Sequence, residues 1–138
     1  MTYLLDAGPL IAVLTKGDQH HAWARATLAN LPRPFVSCPE VLAKAAAMTE
    51  RPDVIVELVK AGEIVPAFRL EDHSTPVLSL LRKYADQQMD LADACLVRMS
   101  ELHRDCVVVT VDGDFKVYRR NGREAIPLLT PPTVIPTP

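Results

Sequence analysis

No stretch of this chain stays apolar long enough to cross a membrane. The longest apolar runs are broken by Asp6 near the start and by Asp93 and Arg98 later, short of the ~20 residues that a spanning helix requires. No basic segment leads into an apolar run at the N-terminus, so a secretory leader is not expected and a cytoplasmic location is. Cysteine is scarce: Cys38, Cys95 and Cys106 form no C-x-x-C pair. An odd number of cysteines among apolar neighbours suits small buried side chains in a reducing compartment better than a disulfide framework. Excess positive charge is also missing. A formal net charge of -2 and a pI near 6.1 argue against a protein that holds nucleic acid by bulk electrostatics. The sequence contains no G-x-G-x-x-G, P-loop, H-E-x-x-H or G-x-S-x-G, which removes the main supports for dinucleotide, NTP, zinc-protease and α/β-hydrolase chemistry. It has no internal repeat, and His73 and His103 lack partners at metal-ligand spacing.

What is present is 138 residues, 49% of them hydrophobic, enough for one domain with a real core and too few for two ordinary ones. TYLLD, FVS, EIVPA and the β-branched run CVVVT read as short buried strands, with AIPLL as a last one. Helical spacing separates them. Gly8 and Pro9 punctuate before an apolar turn or two, Leu10 to Leu14, and HHAWARATLANL carries Ala22, Ala26 and Leu28 to Leu31. Ser37 and Pro39 open a helix through Val41, Leu42, Ala45 and Met48, and Pro52 opens another that Gly62 stops. Ser74 is placed to cap an amphipathic helix bearing Val77, Leu80, Leu81 and Tyr84, and Asp90 starts a helix to about His103. Strands alternating with helices predict an α/β fold with a mainly parallel sheet covered on both sides. Residues 1–130 are expected to form that domain, and the proline-rich 131–138 an extended tail.

Five aspartates stand where these elements begin or end: Asp6 in YLLDAGPL, Asp90 and Asp93 in QMDLADACLV, and Asp112 and Asp114 in VVVTVDGDF. Open α/β sheets build their ligand sites at the carboxyl edge. Carboxylates gathered there would repel one another by roughly 3 kcal/mol per pair at about 5 Å and an effective dielectric near 20, and a divalent cation is the usual remedy. Each acid also has an ordinary structural explanation. Asp6 suits a turn or cap, Asp90 and Asp93 suit a capping pair, and D-G-D suits a tight turn. Asp93 is the stronger candidate of its pair, since the helix macrodipole favours its ionised form and the first turn lets it point outward. Thr110, at the end of CVVVT, shares the edge with Asp6, Asp112 and Asp114. Lys116, Arg119, Arg120 and Arg123 follow directly and read either as a solvated face or as phosphate contacts.

Taken together, DAGPLIAVL, DQHHAWA, MDLADACLV and VVTVDGDFKVYR resemble the PIN-domain family, in particular the VapC-like single-domain toxin ribonucleases of prokaryotic toxin–antitoxin pairs. The resemblance implies a three-layer α/β/α sandwich, an acidic pocket binding Mg²⁺ or Mn²⁺, and hydrolysis of single-stranded RNA. It further implies a cognate antitoxin and a homodimer as partners. Asp6 matches the family's first aspartate, Asp93 the helix-start aspartate with Asp90 nearby, and Asp112 or Asp114 the last acid; these are the implied metal and catalytic residues. One position departs from the pattern. Where the family reads V-L-x-E, this chain reads V-L-A-K, placing Lys44 where a pocket glutamate is expected. Glu40, one helical turn earlier, lies on roughly the same face but about 5–6 Å away along the axis. Lys44 has three readings: it snorkels to solvent from a site short of one ligand, it neutralises the aspartates in an impaired pocket, or it contacts RNA phosphate beside a working cation.

Overall fold

A computed structural model of the chain describes residues 1–132, so most of the proline-rich tail lies outside the described residues. Within them, five strands form one sheet in the order β3-β2-β1-β4-β7, and every pairing in it is parallel. The strands are β1 (Thr2–Leu5), β2 (Phe35–Ser37), β3 (Ile64–Pro66), β4 (Cys106–Val109) and β7 (Leu128–Leu129). A separate antiparallel pair, β5 (Arg119–Arg120) and β6 (Glu124–Ala125), stands apart from it. Six helices flank the sheet: α1 (Ala7–Leu14), α2 (His21–Asn30), α3 (Pro39–Thr49), α4 (Pro52–Lys60), α5 (Ser74–Lys83) and α6 (Leu91–Leu102). The architecture is that expected of a three-layer α/β/α sandwich.

The order of the strands decides where a ligand site belongs. From β1 the chain proceeds through β2 to β3 on one side, then returns to place β4 on the other side of β1. That reversal opens a crevice at the carboxyl ends of β1 and β4, the topological switch point of an open parallel sheet. Leu5 lies opposite Val109 in the register, so the next residues, Asp6 and Thr110, emerge side by side. The backbone N–H of Asp6 still donates to the Val109 carbonyl, at 3.1 Å.

The core explains why the sheet is held so firmly at this edge. Leu4, Leu5, Val108 and Val109 are buried almost completely, as strands covered on both faces require. α6 packs on β1 and β4 and also meets α3. Its buried face includes Ala92, Ala94, Cys95, Leu96, Val97 and Met99, broader than an amphipathic stripe and appropriate to an inner helix. All three cysteines are buried and unpaired.

Several boundaries differ from the sequence reading. α1 begins at Ala7, not at Leu10, because Asp6 caps it and Pro9 sits in the first turn, where a missing N–H is not needed. In α2 the buried positions are Ala24 and Leu28, while Ala22 and Ala26 face solvent. Ser37 ends β2 instead of opening a helix, and its hydroxyl donates to the Leu5 carbonyl at 2.8 Å. Met48 is exposed at the far end of α3. Ser74 is the first helical residue, with no capping bond. Only Leu128 and Leu129 of AIPLL join the sheet; Ala125 pairs with Arg119 in the small hairpin. Pro66 is tolerated in β3 because that strand is an edge.

Candidate active site

Asp6 follows β1 and caps α1, with its Oδ1 accepting from the Ala7 N–H at 2.8 Å. Its Oδ2 accepts from the Thr110 hydroxyl at 2.7 Å. That hydroxyl in turn accepts from the Asp112 N–H at 2.9 Å, so one side chain ties the ends of β1 and β4 to the following loop. Thr110 is fully buried and Asp6 is 3% exposed. Burial pushes the Asp6 carboxyl above its ordinary pKa, the Thr110 and Ala7 bonds and Lys44 pull it back, and Asp112 adds to the rise.

Asp93 reaches the same edge from α6. Asp90 is the N-cap and Asp93 the N3 residue of a reciprocal capping box: Asp90 Oδ1 accepts from the Asp93 N–H at 2.8 Å, and Asp93 Oδ2 accepts from the Asp90 N–H at 3.3 Å. The capping explanation of these acids therefore holds for both. It does not exhaust Asp93, which is 4% exposed and turned inward rather than outward. Its Oδ1 is buried with no hydrogen-bond partner among the described residues. Burial, together with the Asp90 and Asp6 carboxylates, pushes its pKa up to about 7. A buried carboxylate oxygen left without a donor is costly.

Lys44 lies on α3 where that helix meets α6, and its ammonium donates to Asp90 Oδ2 at 2.5 Å. Both partners are well exposed, 38% and 44%. Partial burial opposes its charge, but Asp90, and more weakly Asp93 and Asp6, hold its pKa above the ordinary value. Asp90, despite its own partial burial, is held below the usual range by Lys44 and by the capping bonds. The lysine thus pairs with an outer carboxylate, and its field still reaches the inner acids.

The remaining candidates divide. Asp112 is half-buried and caps the short 3-10 turn Gly113–Lys116, its Oδ1 accepting from the Asp114 N–H at 2.9 Å. Asp114 is exposed. Glu40 has a buried Oε1 without a partner, yet the influence it exerts is on Cys95, whose thiol is pushed up by adjacent Cys38, by burial and by Glu40. Glu40 is not among the leading charges that move Asp6 and Asp93. The basic residues do not form one patch. Arg120 turns inward and donates to the Ser100 and Arg104 carbonyls, Arg119 donates to the carbonyls of Lys116 and Tyr118, and Lys116 and Arg123 are exposed.

Tyr118 was not singled out from the sequence. It is fully buried, and its hydroxyl donates to Asp93 Oδ2 at 3.3 Å. Burial, with Asp93 and then Asp114 and Asp112, raises its pKa, which keeps it a donor. A buried tyrosine generally finds a partner for its hydroxyl, and an aromatic residue four places beyond the last acid was the available signal.

Among the described residues, no three His, Cys, Asp or Glu side chains are grouped closely enough to hold a metal ion as they stand. Magnesium nevertheless keeps several waters and takes only one or two carboxylates together with substrate phosphate, rather than a full protein cage. Asp6 and Asp93 are hard oxygen donors, and the orphaned Asp93 Oδ1 is the kind of acceptor that a cation would satisfy. The donor set therefore fits such an ion, with one carboxylate fewer than the motif implies.

The model for the PIN domain matches residues 3–121. The chain belongs to the PIN domain family. This fold is generally a nuclease fold, its members bind RNA, and they usually bind Mg²⁺ or Mn²⁺. A comparison with curated proteins returns no match. The acids Asp6, Asp93 and Asp112 come from three separate elements at one sheet edge. No helix among the described residues is long and apolar enough to cross a membrane.

Proposed function

We propose that this PIN domain is a metal-dependent endoribonuclease that hydrolyses single-stranded RNA. The observation that carries the reading is the pairing of two buried carboxylates, Asp6 and Asp93, at the switch point, with Asp93 Oδ1 lacking any donor. Two buried carboxylates within reach of each other's field weaken the fold when both are ionised, unless a cation offsets their charge. Asp6 and Asp93 would hold Mg²⁺ or Mn²⁺, with Asp112 at the flank and exposed Asp114 outside. The bound ion supplies charge stabilisation at the phosphate oxygens and an activated water.

The chain's own residues prepare that arrangement. Thr110 fixes the Asp6 carboxylate by occupying Oδ2, and Ala7 occupies Oδ1. Tyr118 and the Asp90 N–H both donate to Asp93 Oδ2, leaving Oδ1 for a ligand. Fixing the ligands in this way is how outer hydrogen bonds tune a metal site. Lys44, paired with Asp90, offsets part of the negative field. Lys116 and Arg123 supply further exposed cations for the strand. Calorimetric titration of the purified protein with Mn²⁺ should give binding that Asp6→Asn abolishes. Equal binding by wild type and variant, or none by wild type, would sink this reading.

The Lys44 contact also favours a second reading, a catalytically impaired PIN domain that binds RNA or protein without cleaving. Its mark would be Lys44→Glu gaining cleavage that wild type lacks. In either case the resemblance to single-domain toxins supports a place in a cytoplasmic toxin–antitoxin pair, with a cognate antitoxin and a homodimer. Co-purification of a small partner encoded beside this chain, with light scattering of the complex, tests both.

A further inference from the structure

A small cleft adjoins the acidic edge. Its volume is about 170 Å³, and it is lined by Val111 and Gly113, the residues on either side of Asp112, by His20, just before α2, by Lys116, and by Thr130, Pro131 and Pro132. The register explains why these segments meet. β7 runs parallel to β4 with Leu129 opposite Val109, and the Thr110 N–H donates to the Leu129 carbonyl at 3.1 Å, so Thr130 leaves the sheet level with Thr110.

The lining is unusual for a protein with 5% aromatic residues. His20 is half-buried, yet its ring makes no capping bond to α2. Lys116 is exposed and pairs with no carboxylate among the described residues. A histidine, two prolines, a threonine and a lysine therefore line one opening. At ~170 Å³ it falls below the ~300–1,000 Å³ of sites that enclose drug-sized ligands, so it suits one planar group. Unstacked RNA bases dock in this way, on an aromatic or histidine face with a cation at the phosphate.

We propose that this cleft is a nucleobase subsite, in which the base of a nucleotide flanking the scissile phosphate stacks on His20 while Lys116 meets its phosphate. The inference rests on the nuclease reading for the position of the cut, and on the cleft alone for the base. Gly113 provides an independent way to close it. A Cβ built there meets nothing within 4 Å, so Gly113→Leu places a side chain in open space without strain in the backbone.

The test uses single-stranded RNA oligomers carrying 2-aminopurine at one position at a time, added to Asp93→Asn protein so that no cleavage intervenes. Stacking is read as fluorescence quenching and affinity as polarisation. One position should quench strongly on binding, and both His20→Ala and Gly113→Leu should remove that quenching and weaken binding about 5- to 100-fold. Thermal melting should stay unchanged for His20→Ala, which separates a lost subsite from a lost fold. Uniform quenching along the strand, or quenching that survives both substitutions, overturns the proposal. The two readings fail separately. Position-specific quenching by a protein that cuts no RNA would leave the subsite and remove the nuclease, whereas metal-dependent cutting without it would do the reverse.

Discussion

Asp93→Asn should make the metal-free protein more stable, by an amount that grows as pH rises from about 5 to about 7. The wild-type carboxyl titrates near 3.8 in an unfolded chain and near 7 in the folded one. Below about pH 4 both states hold the proton, so ionisation costs nothing; as pH rises the unfolded chain ionises first, and the folded state loses stability until pH passes about 7. The interval spans roughly three decades, about 4 kcal/mol at ~1.4 kcal/mol per decade. Asparagine keeps an oxygen for the Asp90 N–H and the Tyr118 hydroxyl but accepts more weakly than a carboxylate, which offsets ~1–2 kcal/mol. The net gain at about pH 8 should be roughly 2–3 kcal/mol, or about 6–15 °C in Tm for a chain of this size, and near zero at about pH 5. Thermal melts of both proteins in chelator at the two pH values measure it. A variant destabilised equally at both, or a wild type equally stable at both, would refute the electrostatic account of the pocket. The same substitution should abolish Mn²⁺ binding, the usual exchange between stability and function at a site.

Other substitutions probe the surroundings. Thr110→Val, nearly isosteric, removes the donor to Asp6 and the acceptor of the Asp112 N–H; it should cost ~1–3 kcal/mol in denaturant titration and ~10–100-fold in cleavage rate. In Gly8→Ala, the new Cβ would stand 2.4 Å from Val111 Cγ2, and since valine is stiff at χ1 the clash should outweigh the helix-propensity gain of up to ~1 kcal/mol. Adding Val111→Ala should restore stability, read as a coupling in a double-mutant cycle. Lys44→Met breaks an ion pair exposed enough that unfolding free energy should change by less than about 1 kcal/mol. Lys44→Glu supplies the carboxylate that the motif implies and should tighten Mn²⁺ binding at least tenfold in calorimetry, while lowering the Tm of the metal-free protein.

The fold was legible because its strands are short, β-branched and separated by amphipathic segments, and because the acidic motifs fall in family order. The positions of Asp6 and Asp93 followed from element ends alone. What sequence could not supply was which way each side chain turns. Asp93 points inward because α6 is buried on nearly all sides, and Thr110 binds Asp6 because parallel register sets β1 and β4 level. Arg120 left the basic run through its backbone position in the small hairpin, which directs it to the Ser100 carbonyl. Glu40 and Lys44 share a helix face, yet one turn of rise sends the first toward Cys95 and the second toward Asp90. Tyr118 went unread because its place four residues beyond Asp114 does not by itself name the carboxylate it will meet.

Cleavage of unstructured RNA by the wild-type protein, with Mn²⁺ and with chelator, tests the central claim most directly when Asp6→Asn is run beside it. Cutting by wild type that requires the ion and disappears in the variant is the predicted result. No cutting by wild type with Mn²⁺, with activity gained by Lys44→Glu, would show instead that the lysine has closed the pocket.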